Sequence, residues 1–168
     1  ALHEKDSVGG IVACTAAGLP VGLGEPFFDS VESLISRAVF SIPAVKGIEF
    51  GAGFAGSAMR GSDFNDAIID GQGRTRTNNA GGINGGLTNG NDIVFRVAVR
   101  PTASIARTQS TIDLKTGEIA TLSIEGRHDA CIALRIPVIV EAVTAIILAD
   151  LLLIHKPAAE GGPGERKK

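Results

Sequence analysis

Four consecutive residues hold the groups best able to do chemistry. Gly126-Arg127-His128-Asp129 sets a fixed cation, a titratable imidazole and a carboxylate in a row. Such a trio suits proton transfer beside a bound anion, because His and Asp can exchange protons while Arg holds charge. It equally suits a plain turn, with Asp129 capping a loop and His128 half exposed. Arginine supplies a second signal. Residues 71–140 contain eight basic groups (Arg74, Arg76, Arg96, Arg100, Arg107, Lys115, Arg127 and Arg135) against five acids, so the segment is +3 in a chain of net charge −2. Seven of the eight are Arg, whose planar fork matches carboxylate or phosphate through paired hydrogen bonds. Thr102 and Ser104 add hydroxyls, and a neighbouring glycine-rich stretch can turn N–H groups toward an anion. A small-anion site and a solvated loop with ordinary surface arginines both fit this pattern.

Other chemistries lack their parts. His3, His128 and His155 are scattered, with no spacing that would face one ion, so no metal site is expected. Cys14 and Cys131 fit a reducing compartment rather than a disulfide framework. Gly51-Ala52-Gly53-Phe54-Ala55-Gly56 matches the dinucleotide fingerprint GxGxxG and has Asp70 downstream. A dinucleotide site needs a helix starting at the third glycine, and the stretch that follows, broken by Gly61, makes a poor one. Gly81 to Thr88 lacks the lysine of a P-loop, and there is no GxSxG elbow. The slightly acidic balance and the absence of Trp and Tyr argue against a nucleic-acid partner.

The elements that must position these residues are partly legible. A chain of 168 residues with 44% apolar content can build one packed core. Val8 to Ala17 reads as a buried strand. Asp29 or Ser30 caps a helix in which Val31, Leu34, Ile35, Ala38 and Val39 recur at helical spacing up to Pro43. Val45 to Phe50 and Ile93 to Val99 read as strands, with one helical stretch near Asp63 to Ile69. Gly71 to Asn91, with seven glycines and five asparagines, reads as a long structureless loop. Lys115-Thr116-Gly117 turns a hairpin between Gln109–Leu114 and Glu118–Ile124, and Gly126 to Arg135 is a loop. Pro137 opens a helix to about Ile154 that is apolar nearly all round. A membrane span would place Glu141 and Asp150 in hydrocarbon at about 2.5–3.5 kcal/mol each, so a helix buried between two sheets is favoured. The expected class is α+β, a two-layer sandwich of antiparallel sheet with buried helices, residues 1–155 forming the core and 156–168 a flexible tail. Ala1 to Asp6 reads as an internal cut, so a fragment of something larger is expected and no targeting segment can be read.

Five pieces in order carry a family resemblance: Gly22-Leu23-Gly24-Glu25-Pro26, Ala44-Val45-Lys46-Gly47, Asn79-Ala80-Gly81-Gly82-Ile83-Asn84-Gly85-Gly86, Arg100-Pro101-Thr102 and Gly126-Arg127-His128-Asp129. From about Gly9 to Leu153 the chain resembles the C-terminal half of chorismate synthase. The resemblance implies part of a β-α-β sandwich and a cytoplasmic homotetramer. The implied reaction is the lyase step of the shikimate pathway to aromatic amino acids, which turns 5-enolpyruvylshikimate 3-phosphate into chorismate by anti-1,4-elimination of phosphate. It also implies reduced FMN as cofactor, with NADPH a candidate reductant. By the same likeness, Pro43, Ala44, Gly85, Arg100, Pro101, Thr102, Ala103, Ser104 and Arg127 would hold the flavin. Asp129 and His128 would be the catalytic pair, and Arg60, Arg74 and Arg76 would make further contacts to substrate or cofactor phosphate. Pro43 stands where the family usually has Asn or Gln, Arg100 where Lys is usual, Asn79 where His is common, and Ala130 where proline follows the aspartate. The expectation is that Gly85, Arg100, Arg127 and Asp129 converge, and that the 168-residue chain alone is inactive. Two other functions compete: a noncatalytic anion- or nucleotide-binding module, and a domain supplying only subunit contacts.

Overall fold

In the computed structural model of the chain the described residues are 1–160, with side chains through residue 155. In order they form β1 (Gly10–Ala16), α1 (Val31–Phe40), β2 (Val45–Phe50), α2 (Gly61–Phe64), β3 (Ile83–Asn84), β4 (Leu87–Thr88), β5 (Ile93–Val99), β6 (Gln109–Ile112), β7 (Ile119–Leu122) and α3 (Pro137–Glu160), with short 3₁₀ turns between. The fold is α+β. β5 is the central strand of a three-stranded antiparallel sheet ordered β1-β5-β2. Its alternation decides which face is covered: Ile93, Phe95, Val97 and Val99 are buried, while Arg96 and Ala98 point outward. Each such fully buried side chain stabilises the fold by about 1.5–3 kcal/mol.

The covering layer is helical. Ser30 caps α1 by accepting from the Ser33 N–H at 3.1 Å, and Val31, Ile35 and Val39 then face the sheet at the spacing of one helical stripe. α1 packs on β2 and on α3, and α3 on β1. Val140, Thr144, Leu148 and Leu151 form the buried stripe of α3, with the Thr144 hydroxyl donating back to the Val140 carbonyl at 2.7 Å. Cys14 lies half-buried beside this stripe, where burial pushes its thiol up from the ordinary value.

Four sequence expectations need correction. α3 is not buried on two sides. Val138, Ile146, Leu153 and Ile154 are exposed, and although Pro137–His155 is long and apolar enough to cross a membrane by length and composition, 22% of that window is buried. The three-stranded sheet and α1 pack on one stripe of it, and the other two sheets among the described residues are two-stranded hairpins. The helix also continues to Glu160 rather than stopping near Ile154; of the expected tail, residues 161–168 lie outside the described residues. Residues 63–69 form no helix beyond the single turn of α2, and residues 126–135 end in a 3₁₀ turn at Ile132–Arg135 rather than remaining a plain loop.

The glycine- and asparagine-rich stretch is ordered rather than structureless. Asp66 is its pin, accepting from the Thr77 hydroxyl and from the N–H groups of Asn79 and Ala80 at 2.7–2.9 Å. Burial alone would raise the Asp66 carboxyl, but these three donors outweigh it and hold it below the usual range. Asn78 donates to the Asp92 carbonyl and accepts from the Gly82 N–H, while β3 and β4 close a two-stranded hairpin. The GxGxxG stretch has the same packing purpose. Gly51 sits at φ 54°, and a side chain there would land on the Asn79 carbonyl. The third glycine lies within a 3₁₀ turn, Gly53–Ala58, not at the start of a nucleotide-binding helix.

Candidate functional site at the carboxyl end of β5

The last residue of β5, Val99, lies opposite both Gly10 of β1 and Val45 of β2, so three chain segments meet there. The β2 register slips between Val45 and Gly47, leaving Lys46 as an extra residue in a β-bulge. Just before it, Ala44 is held at φ 71°, a left-handed conformation rare for a residue with a side chain. Its carbonyl accepts from the Arg100 N–H at 2.9 Å, which places Pro43 and Ala44 beside Arg100.

Residues 100–107 then run to the β6–β7 hairpin, whose base is closed by the Ile124 N–H on the Ile105 carbonyl at 3.2 Å. The hairpin thereby returns the chain so that Gly126 to Ala130 lies against Thr102 to Ala106. The Thr102 hydroxyl donates to the Asp129 carbonyl at 3.2 Å. Sequence reasoning missed the third wall, the amino-terminal Lys5-Asp6-Ser7. Ser7 donates its hydroxyl to the Thr102 carbonyl at 2.6 Å, the Val8 N–H bonds the Ala130 carbonyl at 2.8 Å, and Asp6 pairs with Arg107 at 2.7 Å. The Ser7 N–H, and then the Arg107 guanidinium, hold the Asp6 carboxyl below its usual range. The available hint was Gly9: a side chain there would strike the Val99 carbonyl and Pro101, so glycine marks a close crossing of the two segments.

These walls enclose a cavity of about 180 Å³ lined by Lys5, Asp6, Ser7, Ser104, His128 and Asp129 among others. Its charge is uneven. Asp6 and Asp129 are each paired, with Arg107 and with Arg135 respectively. Lys5, Arg100 and Arg127 have no carboxylate partner among the described residues, and Arg100 bonds only the Pro101 carbonyl at 3.2 Å. A cation without a carboxylate partner, as Lys5 is on this wall, attracts an anion.

The structure does not bring every expected residue here. Gly85 forms the β3–β4 turn, and the carbonyl of its neighbour Gly86 accepts from the Val31 N–H at the start of α1. Ala44 lies beyond the other end of α1, so about 15 Å of ten-residue helix separates Gly85 from Arg100. Of the four residues expected to converge, Gly85 lies toward the other end of α1, Arg100 stands two residues before Thr102, whose hydroxyl meets the Asp129 carbonyl, and Arg127 stands two residues before Asp129. Arg74 is paired with Asp70, and the Arg76 N–H bonds the Ala67 carbonyl within the loop that leads to the start of β5. Arg60 precedes the single turn of α2. All three lie on segments tied to the opposite end of the sheet, because the Asn79 and Gly81 carbonyls accept from the N–H groups of Ala52 and Val94.

An antiparallel sheet backed by two helices, with two carboxylates, an imidazole and Lys5 around a cavity beyond its central strand, defines an α+β protein. Comparison with known proteins carries this further. A family described as chorismate synthase matches residues 1–153. A chorismate synthase of Chitinophaga pinensis is 62% identical over 156 residues, covering 93% of this chain and 47% of its own length. One from Archaeoglobus fulgidus is 51% identical, covering 90% and 43%. A crystal structure of chorismate synthase superposes with a TM-score of 0.73 at 31% identity, over 92% of this chain and 40% of that one. The chain belongs to the chorismate synthase family, and it spans about half the length of the curated relatives it matches.

Proposed function

We propose that this chain supplies the anion- and flavin-holding part of an enzyme that converts 5-enolpyruvylshikimate 3-phosphate to chorismate and phosphate. The observation that carries the proposal is the cavity beyond the end of β5, where Lys5 and His128 share a wall with the paired carboxylates Asp6 and Asp129, while Arg100 and Arg127 on the adjoining segments lack carboxylate partners among the described residues. The substrate brings a phosphate and two carboxylates, and FMN brings another phosphate. A donor set of unpaired cations fits both. Arg100 to Ser104, Ala44 and Arg127 would hold the cofactor, with Pro43 offering its carbonyl alone; Gly85, about 15 Å away along α1, would meet a different part of an elongated ligand. When bound, reduced FMN supplies electron density that eases departure of phosphate, with NADPH as the proposed reductant. The chain's own residues do the rest. Arg127 and Lys5 hold the leaving phosphate's charge, Asp129 takes up the ring proton, and His128 on the same turn passes it toward water.

A reducing, cytoplasmic setting is supported by two free thiols. Homotetrameric assembly is supported by the uncovered apolar faces of α3 and of β1, where Ile11 is exposed. The 168-residue chain alone is proposed to be inactive, since it spans about half the length of the curated relatives it matches. Phosphate release from the substrate with reduced FMN tests this: none is expected from the purified chain, whereas full-length enzyme containing it should turn over and Asp129→Ala should lower that turnover at least ~10²-fold. Turnover by the isolated chain, or unchanged turnover in Asp129→Ala, contradicts the proposal and favours a noncatalytic anion-binding module.

A further inference from the structure

Arg135 is absorbed by neither the family's motifs nor the cavity wall, yet its guanidinium meets Asp129 Oδ1 at 2.9 Å. The surroundings give this exposed pair a purpose beyond stability, to which surface ion pairs add little. The backbone of Asp129 is fixed twice: its carbonyl accepts from the Thr102 hydroxyl, and the next carbonyl, of Ala130, accepts from the Val8 N–H. What stays free is rotation of the carboxylate about the side-chain bonds. Arg135 stands at the end of the 3₁₀ turn Ile132–Arg135, flanked by buried Ala133 and Ile136, so its backbone is fixed by the core. A donor on a rigid base that grips one carboxylate oxygen sets the direction of the other. Arg127, two residues before Asp129, pairs with no acid among the described residues. The two arginines thus divide the work.

We propose that Arg135 is a positioning residue that orients the Asp129 carboxylate toward the cavity, leaving Arg127 as the cation available to the anion. The proposal rests on the functional reading above, in which Asp129 takes up the proton. Misplacing a reacting group by an ångström costs about 10²-fold in rate, which sets the size of the effect.

The test uses full-length enzyme containing this chain, with Arg135→Ala, Arg135→Lys, Asp129→Ala and the Arg135→Ala/Asp129→Ala double variant. Turnover is measured alongside the dissociation constants of FMN and substrate. Arg135→Ala should lower kcat about 10²-fold while both dissociation constants stay within about twofold, and Arg135→Lys should recover part of the loss. The double variant should be no slower than Asp129→Ala, because positioning is worthless without the group positioned. Unchanged kcat in Arg135→Ala, a loss multiplying that of Asp129→Ala, or a loss appearing in ligand affinity would each overturn the proposal. Unchanged turnover in Asp129→Ala would instead overturn the functional reading beneath it. Those outcomes are distinguishable.

Discussion

Asp66 illustrates how much a single side chain carries in this fold, and why its importance is invisible in the sequence. Its two oxygens gather one hydroxyl and two N–H groups from residues 77–80, eleven to fourteen positions away. Nothing in an isolated Asn65-Asp66 announces those partners. Removing them by Asp66→Ala should cost about 1–2 kcal/mol at this half-exposed site, read as a fall in the denaturation midpoint. The pH dependence has a definite sign. The folded-state carboxyl is lowered, so its contribution is complete above the ordinary aspartate value near 3.9 and is lost as pH falls through the lower folded value. Asp66→Asn should therefore flatten the acid limb of the stability curve; an unchanged limb would refute the assignment. Gly51 makes the complementary case. At φ 54°, with the Asn79 carbonyl where its side chain would go, Gly51→Ala should destabilise by at least ~2 kcal/mol in thermal unfolding.

Legibility at the level of elements followed periodicity. β5 and α1 were readable because alternation and the 3.6-residue stripe of Val31, Ile35 and Val39 have one physical cause each, burial of a single face. The Ser30 cap and the Lys115-Thr116-Gly117 hairpin were readable because turn chemistry is local. The glycine-rich stretch was not, since its order comes from side-chain amides and Asp66 acting at long range rather than from a repeating pattern. α3 was misread for a related reason. Its sequence is apolar on every face, which states that it becomes covered without stating by what. With Val138, Ile146, Leu153 and Ile154 exposed, the 168-residue chain should self-associate at micromolar concentration. The pair Ile146→Gln and Leu153→Gln should shift its sedimentation toward monomer while moving stability by no more than about 0.5 kcal/mol. A wild-type chain that sediments as monomer would show that this face is not adhesive.

At the scale of the molecule, one end of a three-stranded sheet carries the functional argument and the other end carries the anchoring. Arg100, Arg127 and Asp129 were read in the sequence from residue type and motif, and the β6–β7 hairpin returns the segment holding Arg127 and Asp129 to the one that follows Arg100. Lys5, Asp6 and Ser7 were not found, because the partners that place this segment, Thr102 for Ser7 and Arg107 for Asp6, lie 95 and 101 positions away. Conversely Arg74, Arg76 and Gly85 were grouped with the site by the family resemblance, and the topology ties their segments to other parts of the fold. Which arginines serve the cofactor therefore decides between the two ends of the sheet. The deciding quantity is the FMN dissociation constant of full-length enzyme containing this chain, measured for Arg100→Ala, Arg127→Ala and Arg74→Ala. Losses of at least ~10-fold at Arg100 and Arg127, with Arg74 within about twofold, are predicted from the charge-assisted bonds each would make. Wild-type affinity in the first two variants, with the loss confined to Arg74, would contradict it.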